Sequence, residues 1–286
     1  MRIIHHLDEM TETARGWLAG GSVGYIPTAG YVHEGLLQLI QAARQECEIS
    51  VVSISANPYR PEYSGLTRPL SDIARDLQLL ETAQVDIVFN PRPEDIFPTD
   101  FSTYIMPVGF IAKRLESISS PDFVRGMATG MMKLLQLVRP DVTYFEQKDA
   151  LQVALIRQLV RDLNIDVGLR ILPTTREDSG LAMSSYNQLL TAPERQAASS
   201  MYAALQTGKA LVDGGERHSS AIVTAMKAYL AAEPLLTLDY AAVCHPDLFT
   251  ELDEVAPRAM LTIAAHIRNV RLIDNIVWLG GGHWLL

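Results

Sequence analysis

Strand-length apolar stretches alternate with amphipathic stretches along the first half of the chain. The apolar runs cover residues 22–27, 48–57, 85–91 and 141–145. Apolar positions with helical spacing fill residues 69–83 and 148–164. Near-continuous apolar strands separated by amphipathic helices are typical of a parallel sheet that helices cover on both faces. The pattern therefore predicts an α/β fold built on a doubly wound parallel sheet.

The pattern changes after Thr174, where helices dominate and shorter strand-like runs follow them. The helical stretches are 192–212 and 219–232, and the strand-like runs lie near 237–244 and 258–276. Several helices beside a few strands indicate a separate, smaller α+β unit. We therefore predict a first domain over residues 1–174 and a smaller C-terminal α+β lid domain over residues 175–286.

The charge balance and the cysteines bear on possible partners. The chain has 33 Asp and Glu against 24 Lys and Arg, a formal net charge of -9, and no Lys- or Arg-rich run that could follow a phosphate backbone. No stretch approaches the roughly 20 uninterrupted apolar residues that a membrane span needs. Cys47 and Cys244 are the two cysteines of the chain and are far apart in sequence, as expected of small buried residues in a reducing compartment. We expect a cytoplasmic protein that binds neither nucleic acid nor membrane.

Polar or glycine-bearing segments follow three of the predicted strands. They are PTAG at 27–30, ANPYRP at 56–61 and FEQKDA at 145–150. Because the carboxyl ends of parallel strands meet at one edge of a sheet, we expect these segments to line one cleft. The sequence therefore predicts one ligand site built from three distant parts of the chain.

Two side chains in or near these segments could bind an anion. His33 stands at the predicted start of a helix, where free backbone N–H groups favour anions, and Gly35 lets a ligand approach the backbone closely. A histidine at this position could instead only cap the helix. Lys148 also precedes a predicted helix, and a cation at that positive end is unfavourable without an anionic partner. The pair indicates a site for a phosphate-bearing ligand.

Six segments carry a resemblance to a known family. They are PTAGYVHEGL at 27–36, VSISANPYRP at 52–61, VFNPRPEDIFP at 88–98, FEQKDALQ at 145–152, TTREDSGLAMSSYNQLL at 174–190 and VRLIDN at 270–275. In this order they resemble the motifs of the pantothenate synthetase (pantoate–β-alanine ligase) family, a branch of the HxGH nucleotidyltransferases. The matches extend over nearly the whole chain.

The resemblance implies a Rossmann-like fold and a defined reaction. Enzymes of that family use ATP and Mg²⁺ to convert the carboxylate of pantoate into an acyl-adenylate, with release of pyrophosphate. The amine of β-alanine then displaces AMP and forms an amide. Family members are usually dimers, so the resemblance also implies a homodimer with a small-molecule acid and amine as substrates. It implies that the ATP phosphates hold most of the Mg²⁺ coordination, with at most one carboxylate such as Asp76 nearby.

The resemblance also implies roles for individual residues. The positions that match catalytic residues of the family are His33 and Lys148. Those that match its ATP contacts are Pro27, Gly35, Lys148, Asp149, Ser184 and Ser185. Those that match its contacts to the acid substrate are Asn57, Arg60 and Gln152. Ser184 and Ser185 could equally well serve only as a cap or as part of a turn.

Several positions depart from the family's pattern. Leu36 replaces the second histidine of HxGH, Ala29 the methionine of PTMG, Glu146 the glycine of FGEKD, and Tyr186 the arginine of SSRN. Leu36 removes a hydrogen-bond donor, Tyr186 removes a guanidinium, and Glu146 fills the space beside a former glycine. We therefore expect weaker nucleotide binding. Arg60 stands where the family has a neutral glutamine, which indicates altered acid or amine specificity unless its side chain points to solvent.

Three functions are therefore compatible with the sequence. The first is an ATP-dependent carboxylate–amine ligase, which the retained Lys148, Asp149, Ser184 and Ser185 favour. The second is a divergent paralogue that forms or breaks an amide or ester of an already activated substrate without ATP, which Leu36 and Tyr186 favour. The third is a ligand-binding homologue without catalysis. Only the first would consume ATP and release AMP with pyrophosphate.

Overall fold

A parallel sheet forms the larger part of the computed structural model, which describes residues 1–17, 20–55, 59, 72–109 and 121–286. Its strands are β1 (Arg2–Ile4), β2 (Val23–Thr28), β3 (Ile49–Ile54), β4 (Ile87–Phe89), β5 (Val142–Glu146) and β6 (Gly168–Leu172). All neighbouring strands are parallel, in the order β1-β4-β3-β2-β5-β6. The predicted α/β class with a parallel sheet is confirmed.

Helices cover both faces of this sheet. They are α1 (Leu7–Gly16), α2 (Glu34–Glu46), α3 (Ile73–Thr82), α4 (Pro93–Ile96), α5 (Pro121–Val138) and α6 (Ala150–Asp162). Side chains alternate along a strand, so Val51 packs in the core beneath α1, α5 and α6, whereas Val52 packs in the core beneath α2 and α3. Burial on both faces explains why the strands are apolar at nearly every position.

The order of the strands reverses beside β2. The chain passes from β2 to β3 and β4 on one side, and later returns to place β5 on the other side of β2. The two strands pair through Tyr25 and Thr143. Ligands of open α/β sheets bind beyond the carboxyl ends of the strands at such a reversal. The segments after Thr28 and Glu146 therefore flank the expected cleft.

The remaining elements form a smaller unit around a second, antiparallel sheet. They are a 3-10 helix (Ser185–Leu189), α7 (Ala192–Ala198), α8 (Ser200–Asp213), α9 (Ser219–Leu230), β7 (Thr237–Cys244), β8 (Ala259–Ile267), β9 (Val270–Gly280) and β10 (His283–Leu285). The strand order is β10-β9-β8-β7. Leu261 and Ile263 pack with the helices of this unit, whereas Met260 packs into the core of the larger sheet. One face of the second sheet thus adjoins the first unit.

Some elements differ from the sequence-based expectation. The strands β1, β6 and β10 and the helices α1, α4 and α5 were not predicted. The helical stretch 192–212 is divided into α7 and α8 at Ser199. The hydroxyl of Ser199 donates to the carbonyl oxygen of Gln196 at 2.6 Å, a local bond that competes with regular helix geometry. Within the described residues, no helix has the combined length and apolar character that a membrane crossing demands.

Candidate active site

A cavity of about 190 Å³ lies at the reversal of the strand order. Its apolar wall includes Phe97 and one face of α5, and the carboxyl ends of β2 and β5 lie opposite. Most of the predicted site residues line it: Pro27, Ala29, His33, Leu36, Glu146, Lys148, Asp149, Gln152, Ser184, Ser185 and Tyr186. Gly35 is buried in the first turn of α2. Asn57 and Arg60 lie outside the described residues.

The turn between β2 and α2 is held by one buried carboxylate. Gly30 and Tyr31 have positive φ angles of 96° and 57°, a conformation that glycine adopts readily and tyrosine does not. Asp76 accepts hydrogen bonds from the backbone N–H of Tyr31 at 2.5 Å and of Val32 at 2.8 Å. Its carboxylate is completely buried and also receives the Arg75 guanidinium at 3.1 Å. Asp76 thus positions the start of α2.

His33 occupies the N-cap position of α2, but its side chain makes no capping hydrogen bond. The ring lines the cavity, and its Nδ1 atom is buried with no hydrogen-bond partner among the described residues. Burial, together with the positive charges of Lys148 and Arg75, lowers the pKa of His33 to about 4, although Asp149 acts in the opposite direction. The imidazole is therefore neutral near pH 7 and has one N–H to donate to a ligand.

Lys148 lies just beyond β5 and is only 8% exposed. Its Nζ atom is 3.2 Å from Oδ2 of Asp149 and 3.6 Å from Oε2 of Glu146. Glu146 and Asp149 thus supply the negative charge that a cation at the N-terminus of a helix requires. Asp149 stands at the N-cap of α6 without capping it, and its side chain is one-third exposed. A ligand anion would therefore share Lys148 with two carboxylates.

Glu146 ends β5 and is buried, with 4% of its surface exposed. Its Oε1 accepts a hydrogen bond from the backbone N–H of Thr175 at 2.5 Å. Its Oε2 would lie 2.9 Å from a Cβ atom at position 35, so a larger residue there would require this carboxylate to shift. Burial raises the pKa of Glu146, Lys148 opposes this shift, and Asp149 reinforces it.

The segment containing the two serines closes the cavity from the side of the smaller unit. Ser184 caps the 3-10 helix and accepts a hydrogen bond from the backbone N–H of Tyr186 at 3.3 Å. The capping role considered for this serine is therefore present, while both Ser184 and Ser185 still line the cavity. Gln152 lines the same cavity, and its Nε2 lies 3.9 Å from the sulfur of Met131.

The structure adds supporting residues that sequence reasoning did not assign. The Nδ2 atom of Asn275 donates to the backbone carbonyls of Gln147 and Lys148, both at 3.1 Å. Arg176 forms a bidentate pair with the buried Asp274, at 2.6 and 3.0 Å. Asn275 and Asp274 both belong to the VRLIDN segment, so that motif was the available signal. These contacts join the second sheet to the segments that carry the site.

A second cavity of about 390 Å³ adjoins the first. It shares Lys148, Gln152 and Ser184 with the first cavity, and its far side includes Arg271 and His266 of the second sheet. The guanidinium of Arg271 is 2.8 Å from the Asp239 carboxylate, which also lines this space. The two cavities therefore share the wall that Lys148, Gln152 and Ser184 form.

The chain is similar to known proteins in both sequence and fold. Residues 2–277 match the family model described as pantoate-beta-alanine ligase. A pantothenate synthetase from Chloroflexus aggregans is 41% identical over 281 residues, which cover 98% of this chain and 99% of the relative. A crystal structure of pantothenate synthetase from Thermus thermophilus has a TM-score of 0.89 and 33% identity, covering 96% of this chain and 98% of that one. The pantoate-beta-alanine ligase of Francisella tularensis, complexed with beta-gamma ATP and beta-alanine, has a TM-score of 0.80 and 30% identity, covering 99% and 100%.

Proposed function

The chain belongs to the pantoate–β-alanine ligase family, whose members form a C–N bond, and we propose on that premise that it is an ATP-dependent carboxylate–amine ligase. The carboxylate of a hydroxy acid attacks the α-phosphorus of ATP, which yields an acyl-adenylate and pyrophosphate. The amine then attacks the acyl carbon, and AMP leaves as the amide forms. The observation that carries the proposal is that His33 and Lys148, from opposite sides of the strand reversal, line one cavity.

The residues of this cavity suit the first step of the reaction. A carboxylate and a phosphate repel each other, so the site must provide positive charge and fixed donors where charge accumulates. The ammonium of Lys148 supplies the charge, and the neutral imidazole of His33 supplies an N–H donor whose direction is set by the start of α2. The buried position of Lys148 strengthens its attraction to phosphate because little water screens it.

The acid and amine of this chain are proposed to be pantoate-like and β-alanine-like, with an altered preference for one of them. The apolar face of α5 suits a branched acid, and Gln152 offers an amide to its polar end. Support for altered preference comes from the sequence, because Arg60 replaces the neutral glutamine of the family. Screening of hydroxy acids with one or two negative charges for AMP release tests this part separately.

Mg²⁺ is proposed to bind mainly through the ATP phosphates. Among the described residues, no group of three His, Cys, Asp or Glu side chains is arranged to hold a metal ion. Mg²⁺ commonly keeps several waters and takes one or two carboxylates together with substrate phosphates.

Three further properties are proposed from the sequence and the family resemblance. The chain forms a homodimer, as the resemblance implies. It acts in the cytoplasm, which its two free, buried cysteines support. Residues 1–174 and 175–286 form two domains, and the hydrophobic core that lies wholly within the second range supports this division.

Two linked assays test the proposed function. Purified protein is titrated with Mg·ATP in a calorimeter, and AMP and pyrophosphate are measured in the presence of pantoate and β-alanine. We expect binding and release of both products, with a loss of roughly a hundredfold or more in Lys148→Ala. The exposed Lys227→Ala serves as the control and should behave as wild type. Wild-type turnover in folded Lys148→Ala, or amide formation without nucleotide, would contradict the proposal.

A further inference from the structure

The carboxylate of Glu146 lies where an incoming phosphate would find its strongest attraction. Its Oε2 is 3.6 Å from the ammonium of Lys148 and packs directly on Gly35 in the first turn of α2. The N-terminus of a helix and a buried ammonium both attract anions. The carboxylate of Glu146 thus occupies the position at which the cavity would otherwise attract a phosphate.

The surroundings of Glu146 hold this carboxylate in place. Its other oxygen accepts the N–H of Thr175, and the side chain is almost fully buried. The charged or titratable groups that face it are His33 from α2 and Lys148 and Asp149 from the segment after β5. On the segment after β6 it meets the backbone of Thr175. Asp149 is a carboxylate like Glu146, so two negative charges lie beside the ammonium of Lys148.

We propose that Glu146 determines the nucleotide affinity of this site, because it takes up a proton when the ATP phosphates bind beside Lys148. This inference rests on the proposed function and concerns the same cavity. A phosphate chain and an ionised, buried carboxylate cannot share one ammonium without strong repulsion. Protonation removes the negative charge, lets Oε1 continue to accept the Thr175 N–H, and gives the other oxygen an O–H that donates to phosphate. The proton comes from solvent.

Burial favours this proton uptake. The pKa of Glu146 is raised because its ionised form has lost most of its hydration, even though Lys148 favours that form. Binding of a further anion raises the pKa again. Nucleotide affinity should therefore fall as the pH rises, by up to about tenfold per pH unit when one full proton is taken up.

Calorimetric titration of the full chain with Mg·ATP tests the inference, in buffers of low and high ionisation enthalpy between about pH 7 and 8.5. The variants are Glu146→Gln, which keeps the size and an acceptor for Thr175, and Glu146→Gly, which removes the side chain. Asp141→Asn is the matched control, since it removes a carboxylate at the opposite end of β5. We expect wild type and the control to take up close to one proton, and both Glu146 variants to bind roughly tenfold more tightly at the upper pH with little uptake.

The outcomes separate the inference from the function on which it rests. Equal affinity and equal proton uptake in wild type and Glu146→Gln would overturn the inference while leaving ATP binding intact. Uptake that persists in both Glu146 variants would likewise overturn it, because the proton would then bind to another group. No heat from any of the folded proteins would overturn the proposed function, and the inference with it.

Discussion

Gln147 and Asn275 are joined by two hydrogen bonds in the interior of the protein. Nε2 of Gln147 donates to Oδ1 of Asn275 at 2.9 Å, and Nδ2 of Asn275 donates to the backbone carbonyl of Gln147 at 3.1 Å. Both residues are more than nine-tenths buried. Because Gln147 directly precedes Lys148, this contact lets the second sheet fix the segment that carries the proposed phosphate-binding lysine.

We therefore expect Asn275→Ala to weaken both stability and activity. The change leaves the buried carbonyls of Gln147 and Lys148 and the Gln147 amide without their partner, which should lower the free energy of unfolding by about 1–3 kcal/mol. Urea unfolding measures the loss, and AMP release should fall with it. Gln136→Ala, an exposed amide on α5, is the control. Unchanged unfolding in Asn275→Ala would show that the contact contributes nothing.

Replacement of Leu36 by histidine should increase adenylation. Leu36 lines the cavity from α2 and is 6% exposed, so a donor at this position would face the bound phosphates. We expect pyrophosphate release to rise roughly tenfold, at a stability cost of about 1–3 kcal/mol for the buried polar ring. Leu37→His, on the next position of the helix and outside the cavity, should give no gain. No increase in Leu36→His would refute our interpretation of this position.

Removal of the Asp76 charge should loosen the turn that carries His33. Asp76→Asn replaces one acceptor oxygen by an NH₂ group, which opposes a backbone N–H of Tyr31 or Val32. We expect a loss of about 1–3 kcal/mol in unfolding free energy and weaker Mg·ATP binding. Asp72→Asn is a matched control, because asparagine caps α3 about as well as aspartate. Equal melting temperatures for the two variants would contradict this role.

The pH dependence of stability should report the burial of His33. Its pKa of about 4 lies below the value of about 6.5 in an unfolded chain, so the unfolded state binds more protons between these values. Stability therefore rises with pH through this window, and wild type should lose about 1–2 kcal/mol between about pH 7 and 5 through this group. Urea unfolding at both pH values should show a smaller loss in His33→Gln.

A histidine at an exposed position provides the comparison for this measurement. His283→Gln, on β10, should retain the pH dependence of wild type. If His33→Gln and wild type lost the same stability on acidification, the ring of His33 would not be held in a buried, neutral form. That result would also remove the argument that His33 meets the phosphate as a neutral donor.

Much of the fold could be predicted because buried positions recur as apolar residues at regular spacing in the sequence. The apolar run around Val51 and Val52 indicated a strand buried on both faces, and these residues do enter opposite cores. The helix α5 was missed although its buried residues Val124, Met127 and Met131 have helical spacing. The edge strand β6 shows no such pattern, because its residues are only partly buried or exposed.

The sequence by itself determined the class of the sheet, the start of α2 near His33 and the convergence of the segments that end β2 and β5. These follow from periodicity and from the rule that parallel strands end at one edge. Only the tertiary structure decided the partners of the buried polar groups. Glu146 meets Thr175 across 29 residues of sequence, Asp76 meets Tyr31 across 45, and Gln147 meets Asn275 across 128. Such partners depend on strand order and on how the two sheets pack, which the type and spacing of neighbouring residues do not specify.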